Sequence, residues 1–344
     1  MSSWLEFLQS RGARVVDGRV ADFGDRAREL SAARDATIVA DLSPNALIAV
    51  SGDDATTFLH AQFTNDVESL AVEGAQWTGW CTAKGRLLAS FLLVRRSTGY
   101  LIVLPAEIAP AIQKRLSMYV LRSKVKLEDV SAQYARIGLA GPAAGETIAR
   151  RFGEKASSLK VVEAKDGSMA IALGTSRFLV VSPVETAHAM WETFAAAATP
   201  AGTDAWDWTS IRAGIPIVVA ATQEAFVPQM ANFDLIGAVS FRKGCYPGQE
   251  IVARMQYRGG LKRRMALAHL GGEAAPAPGE SVYSEAFGDQ AAGTIVNAAP
   301  APDGGFDALI VAQLDSLDRG DLRWKTPQGP PVTILSRPQA DSAS

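Results

Sequence analysis

The chain of 344 residues is poor in metal-binding side chains: it has two cysteines, Cys81 and Cys245, and three histidines, His60, His188 and His269. Two cysteines in a chain this long make no disulfide framework, so a reducing compartment is expected. A structural zinc site or an iron–sulfur cluster takes about four Cys/His ligands in a close set. Here the candidates are scattered without CxxC or HxxxH spacing, so no metal is expected to belong to the monomer. No apolar stretch approaches the ~18 uncharged residues of a membrane span. The opening MSSWLEFLQSRGARVV lacks the apolar core and small-residue cleavage site of a secretory leader. The expected location is the cytoplasm, with no membrane partner. An excess of one charge is also missing. Lys and Arg number 34 against 36 Asp and Glu, a net charge of −2, which gives no global basic field for nucleic acid or membrane. There is no repeat of fixed period.

What the chain does have is length enough for two or three cores. Trp4 to Gln9 reads as a helix, followed by short extended pieces on either side of a turn at Gly18. ATIVADLS and ALIAVSG read as strands, then Asp53 or Asp54 starts a helix with Phe58, Leu59 and Phe63 near one face. WTGWCTAKGRLLASFLLVRR reads as a β-hairpin turning at Ala83-Lys84-Gly85, where glycine supplies a positive φ. From Tyr134 to about Ala201 the order strand–helix–strand–strand–helix predicts a split-βαβ layer. From Met265 to about Leu335, short strands alternate with Gly/Pro-rich turns, the pattern of a small β-barrel. The fold class is α+β.

The two cysteines differ in setting. Cys81 lies among Trp77, Trp80 and Leu87 and reads as a small apolar packing residue. Cys245 lies in FRKGCYPGQEIVAR, a turn. Arg242, Lys243 and Arg254 are near in sequence, and cations favour a thiolate. Gly244 allows close backbone approach. Pro247-Gly248 suits the two central positions of a type II turn. Gln249 to Gln256 then reads as a helix with Glu250 in its first turn, where the dipole favours an anion. This composition points to a reachable, reactive sulfur; the bland alternative is a turn cysteine without a task. The histidines read as ordinary surface or core residues. A Cys–His pair would need one of them beside Cys245 in space, which linear spacing does not decide.

Polar features flank this turn. VPQMANFDLIGAVSF carries Gln229, Asn232 and Asp234 in an apolar stretch. Tyr257, Arg258, Lys262, Arg263 and Arg264 form a basic, aromatic-containing stretch that suits a polyanion such as a poly-carboxylate tail or an RNA backbone. Its ordinary reading is a solvated charged face. DAWDWTSI alternates as a strand would, so one of Trp206 and Trp208 is expected to face inward, and an indole there could stack on a flat heterocycle.

The run Lys243-Gly244-Cys245-Tyr246-Pro247-Gly248-Gln249-Glu250 resembles the signature of the YgfZ group, folate-binding proteins related to the glycine-cleavage T-protein. PQMANFDLIGAVSF, VARMQYRGGLKRR, AQFTNDV and the CTAKGR hairpin agree with it, so the resemblance spans about Asp41 to Arg264. It implies a three-domain ring arrangement of the T-protein type with a C-terminal small β-barrel. The domains would be 35–132 plus 203–262 as a discontinuous folate-binding-type domain, 133–202 as the ferredoxin-like layer and 263–336 as the barrel. Residues 1–34 would be an N-terminal extension packed on the first domain and 337–344 a frayed tail.

The resemblance further implies a monomer that binds tetrahydrofolate and serves iron–sulfur cluster assembly or repair. Its partners would be iron–sulfur proteins or assembly factors, with tRNA reached only indirectly through enzymes that methylthiolate it. Cys245 would be the central residue, and Trp206, Arg212, Gln229, Arg254 and Tyr257 the folate contacts. Arg212 stands where other members carry a glutamate facing the pterin, and having only donors it would grip a carboxylate instead. Asn45 stands where some carry a second stacking tryptophan. T-proteins have an aspartate pair after the hairpin turn, whereas Ala89-Ser90 here holds no carboxylate base. Aminomethyl transfer of the T-protein type is therefore the lesser alternative, and a tRNA-binding module using the basic stretch comes last.

Overall fold

The computed structural model describes residues 3–154, 157–257 and 259–337. Arg258 of the basic stretch and all of the expected frayed tail beyond Arg337 lie outside the described residues. The chain divides into two compact units. One comprises Met1–Phe58, Glu68–Gln76 and Leu92–Thr209; the other comprises Leu59–Val67, Trp77–Phe91 and Ser210–Ser344.

In the first unit a six-stranded sheet has the order Val161–Glu163, Met169–Ala172, Arg177–Pro183, Tyr134–Ala140, Ile38–Asp41, Thr199–Ala201. Every pairing is antiparallel except the last. Its central strands are apolar at nearly every position because both faces are covered. Ala135, Ile137 and Leu139 share one face with Phe178 and Val180, packed against Trp4 and Leu8 of helix Ser3–Ser10, Ile148 of helix Ala144–Phe152, and Trp191 and Phe194 of helix Val184–Ala195. Asp41, fully buried at a strand end, accepts hydrogen bonds from Trp4 Nε1 and Ser43 Oγ, each at 2.7 Å. Burial pushes its pKa up while those donors pull the other way.

The opposite face is met by Trp206, whose indole stands where a side chain on Gly138 would project. Here the structure departs from the sequence pattern. DAWDWTSI is not a strand but part of an α-helix, Thr203–Arg212. Both tryptophans are buried, not one. Positions i and i+2 lie about 200° apart around a helix, so burying both takes cover on two sides. Tertiary packing overrides the β propensity of tryptophan and threonine. The Thr203 hydroxyl at the helix start donates to the Val20 carbonyl at 3.0 Å.

A five-stranded sheet has the order Gly74–Cys81, Leu87–Arg96, Gly99–Pro105, Asn45–Ser51, Lys126–Asp129. The expected hairpin supplies its first two strands. In the second unit the last third of the chain forms a curled antiparallel half-barrel. Its strand order is Arg323–Trp324, Ser281–Tyr283, Gly293–Pro300, Phe306–Gln313, Arg263–Leu270, Val332–Ser336. Ala268, Leu270, Ile295, Ile310 and Trp324 fill its concave core. Among the described residues no helix is long and apolar enough to cross a membrane.

A Cβ on Gly138 would stand 2.5 Å from Trp206 Cε3, and the indole is held from retreat by the Arg177 guanidinium 4.8 Å from its centroid. Gly138→Ala is therefore expected to cost about 1–3 kcal/mol by overpacking, read as a lower urea midpoint with an unchanged slope.

Candidate functional site

The site is built on the hairpin tip. Gly85 closes the turn with φ 68°, its N–H donating to the Thr82 carbonyl at 2.9 Å. Segment 218–226 clamps this tip. Leu87 N–H donates to the Phe226 carbonyl, Glu224 N–H to the Leu87 carbonyl, and the Gln223 side-chain amide to the Leu88 carbonyl at 2.7 Å. Ser90 Oγ accepts the Val218 N–H at 2.8 Å and is 2% exposed, so its hydroxyl serves the backbone.

Loop 243–250 lies on this tip. Pro247 and Gly248 form the expected type II turn: Gly248 has φ 80° and Gln249 N–H donates to the Tyr246 carbonyl at 3.1 Å. A Cβ on Gly248 would fall 2.4 Å from the Thr82 carbonyl oxygen and 2.5 Å from Gly85 Cα. Only glycine fits. Helix Gln249–Tyr257 follows, with exposed Glu250 in its first turn. Buried Gln229 holds it, donating from Nε2 to the Val252 carbonyl at 2.7 Å.

Side chains on the loop alternate in fate. Lys243 is 7% exposed, and its ammonium donates to the carbonyls of His60 and, at 2.7 Å, of Phe63. Those carbonyls end the helix Ala55–Gln62, where unpaired acceptors and the dipole favour a cation. The same ammonium stands 4.8 Å from the Tyr246 ring centroid, a cation–π contact. Tyr246 is itself buried, and burial pushes its phenol pKa up, with Cys81 adding to the rise. Cys245, set in sequence between these two anchors and preceded by exposed Gly244, is exposed. Cys81 is its opposite: buried, with its thiol pKa raised by that burial.

The remaining predicted residues separate. Arg254 and Tyr257 are exposed on the motif helix, and the Tyr257 ring meets Phe241 edge-on at 6.5 Å. Of the basic stretch, Lys262 is exposed and Arg263 half-buried. Arg264 forms a two-pronged ion pair with Asp234, both hydrogen bonds 2.7 Å, so it braces the fold. Arg212 pairs with Asp307 at 3.5 Å, and His269 Nδ1 lies 2.9 Å from the same carboxylate. Asp307 thus brings an acceptor beside Arg212, which a sequence reading of Arg212 alone missed. Trp206, in the first unit, is 6% exposed under Arg177. Among the described residues no group of three or more His, Cys, Asp or Glu side chains could hold a metal ion.

One further residue escaped the sequence reading. The ring of His60 reaches the loop, its Nε2 3.8 Å from where a Cβ on Gly244 would lie, and its Nδ1 is 3.2 Å from Asp66 Oδ1. No periodicity or spacing links His60 to Gly244; only the fold does.

Two outcomes follow. Gly248→Ala combines a left-handed φ with a backbone clash, so roughly 2–5 kcal/mol of stability should be lost, measurable by chemical denaturation. In the native protein, iodoacetamide should label one thiol, and peptide mapping should find it on Cys245; Cys81 should react only after unfolding.

Comparison with known proteins completes the picture. The model of the GCVT N-terminal domain matches residues 19–243. A tRNA-modifying protein YgfZ of Yersinia pestis is 33% identical over 265 residues, covering 75% of this chain and 79% of the relative. One from Cronobacter sakazakii is 29% identical over 281 residues, covering 80% and 84%. The crystal structure of glycine cleavage system aminomethyltransferase T from Bartonella henselae superposes with a TM-score of 0.80 over 97% of this chain and 96% of that one, at 16% identity. That likeness is one of fold, while the sequence identity carries the narrower relationship: the chain belongs to the GCVT N-terminal domain family and, within it, to the group of tRNA-modifying proteins named YgfZ.

Proposed function

We propose that this protein is a tetrahydrofolate-binding accessory factor for iron–sulfur cluster assembly or repair, serving enzymes that methylthiolate tRNA, with Cys245 as its reactive group. The observation that carries the reading is the exposed thiol on a loop whose neighbours, Lys243 and Tyr246, are buried anchors. A loop built that way holds one side chain out at a fixed place. The name of the relatives supports the link to tRNA modification.

The donor set at Arg212 fits a folate. The Arg212 guanidinium is exposed, with Asp307 almost buried behind it, and it matches a molecule that offers carboxylates. Bound tetrahydrofolate would supply a carried one-carbon unit. Arg212, exposed, would hold it, with Arg254 and Tyr257 as further exposed contacts. Gln229, almost fully covered, would act as a support through its bond to the Val252 carbonyl. Iron, sulfur or a cluster would be cargo handled with iron–sulfur proteins or assembly factors as partners.

T-protein-type aminomethyl transfer is disfavoured by the hairpin itself. Ala89 is fully buried and the Ser90 hydroxyl is engaged by Val218, so no carboxylate base stands there. A tRNA-binding module is disfavoured by the net charge of −2 and by the loss of Arg264 to Asp234.

In a strain deleted for this protein, the wild-type chain should restore methylthiolated tRNA nucleosides, quantified by mass spectrometry. Cys245→Ala should leave them at the deletion level while folding normally. Full restoration by Cys245→Ala would overturn the role of the thiol.

A further inference from the structure

One turn of the first unit holds its large apolar side chains in solvent. Helix Ala109–Ser117 runs out into consecutive tight turns. The N–H groups of Met118, Tyr119 and Val120 donate to the carbonyls of Arg115, Leu116 and Ser117, and Ser123 N–H donates to the Val120 carbonyl at 2.8 Å. The base of the segment is pinned. Lys124 N–H donates to Asp54 Oδ2 at 2.7 Å, and a Cβ on Gly52 would fall 2.0 Å from the Lys124 carbonyl oxygen. On this braced support Met118 is 62% exposed, Tyr119 44% and Leu121 88%.

Leu121 carries two costs at once. Its φ is 46°, in the left-handed region that a bulky side chain rarely enters. It is the second residue of the Val120–Ser123 turn, where a positive φ calls for Gly, Asn or Asp. The strain is not repaid by burial, since the side chain stands almost wholly in water. Strain and exposure on one residue, in a segment otherwise well bonded, mark a functional position. The charge around it has one sign. Lys114, Arg115, Arg122, Lys124 and Lys126 are basic, and no residue from 108 to 127 is acidic. Lys124 and Lys126 meet Asp53 and Glu128 at the base of the segment. Arg122, next to Leu121, and Lys114, a turn before Met118, are exposed.

We infer that turn 118–122 is a docking knob for a partner protein, which meets it with an acidic segment carrying apolar side chains of its own. Tyr, Met and Arg are the residue types enriched where proteins meet, and the basic flank selects the sign of the partner's charge. An RNA backbone would engage the cations but leave Met118 and Leu121 in water. An anionic membrane is opposed by the net charge of −2. The surface stands apart from the readings of Cys245 and of folate and needs neither.

The test is photo-crosslinking in cells, with benzoylphenylalanine in place of Met118 in the full chain and mass spectrometry of the adduct. The crosslinked peptide should come from another protein and contain Asp or Glu among apolar residues. That protein, purified, should bind Leu121→Gly and Arg122→Glu about tenfold or more weakly than the wild type, as for loss of an interface anchor. Exchanging its acidic residue for Arg should restore binding to Arg122→Glu. Leu121→Gly should meanwhile unfold at an equal or higher urea midpoint, because glycine accepts the positive φ. A lower midpoint would show that Leu121 serves the fold and would overturn the inference. So would the absence of an adduct, an adduct with RNA, lipid, a second copy of this chain or a segment without acidic residues, or undiminished binding by Leu121→Gly.

Discussion

A Cβ on Gly248 would stand 2.4 Å from the Thr82 carbonyl oxygen, and one on Gly85 would stand 3.2 Å from the Gly248 carbonyl oxygen. Two backbones meet here with no side chain between them. Both glycines also hold positive φ, 68° at Gly85 and 80° at Gly248, so each is needed twice over. The contact seats the loop on the hairpin tip, and the tip is fixed in turn by the hydrogen bonds from segment 218–226. With that seat set, Lys243 and Tyr246 have one way to point, and Cys245 has the other.

The anchoring of Lys243 alters the electrostatic argument for the sulfur. Read along the chain, Lys243 is a cation two residues from a thiol, available to hold a thiolate. In the fold its ammonium is directed to the carbonyls that end a helix and to the face of Tyr246. A buried ammonium requires such partners, since desolvation without them would cost several kcal/mol. Its service to Cys245 is therefore mechanical.

The legible parts of the sequence were those decided locally. Pro247-Gly248 dictates its turn, the following helix has its own start signal, and the hairpin announces itself by two apolar runs around Gly85. The exposure of Cys245 and the burial of Cys81 follow from the same local contrast, a turn against an apolar strand. Trp206 and Trp208 misled because alternation over a few residues is also compatible with a helix covered on two sides. Lys243 and Phe63, 180 positions apart, illustrate the other limit. So does Arg264, which reads as part of a basic surface until Asp234 is brought beside it. Pairings of this kind belong to the closed fold, and no local pattern encodes them.

The hairpin also departs from the pattern that the resemblance implies. The resemblance to the T-protein leads one to expect a carboxylate pair after this turn; the positions hold Ala89, fully buried, and Ser90, whose hydroxyl accepts a backbone N–H. A carboxylate so deeply covered, with the backbone as its nearest partner, would carry a large desolvation cost. Alanine and serine remove that cost and let segment 218–226 close on the strand. The side of the hairpin tip that bears the loop then holds Cys245 out, exposed. A fold shared at a TM-score of 0.80 and 16% identity thus fixes the hairpin without fixing which side chains it carries.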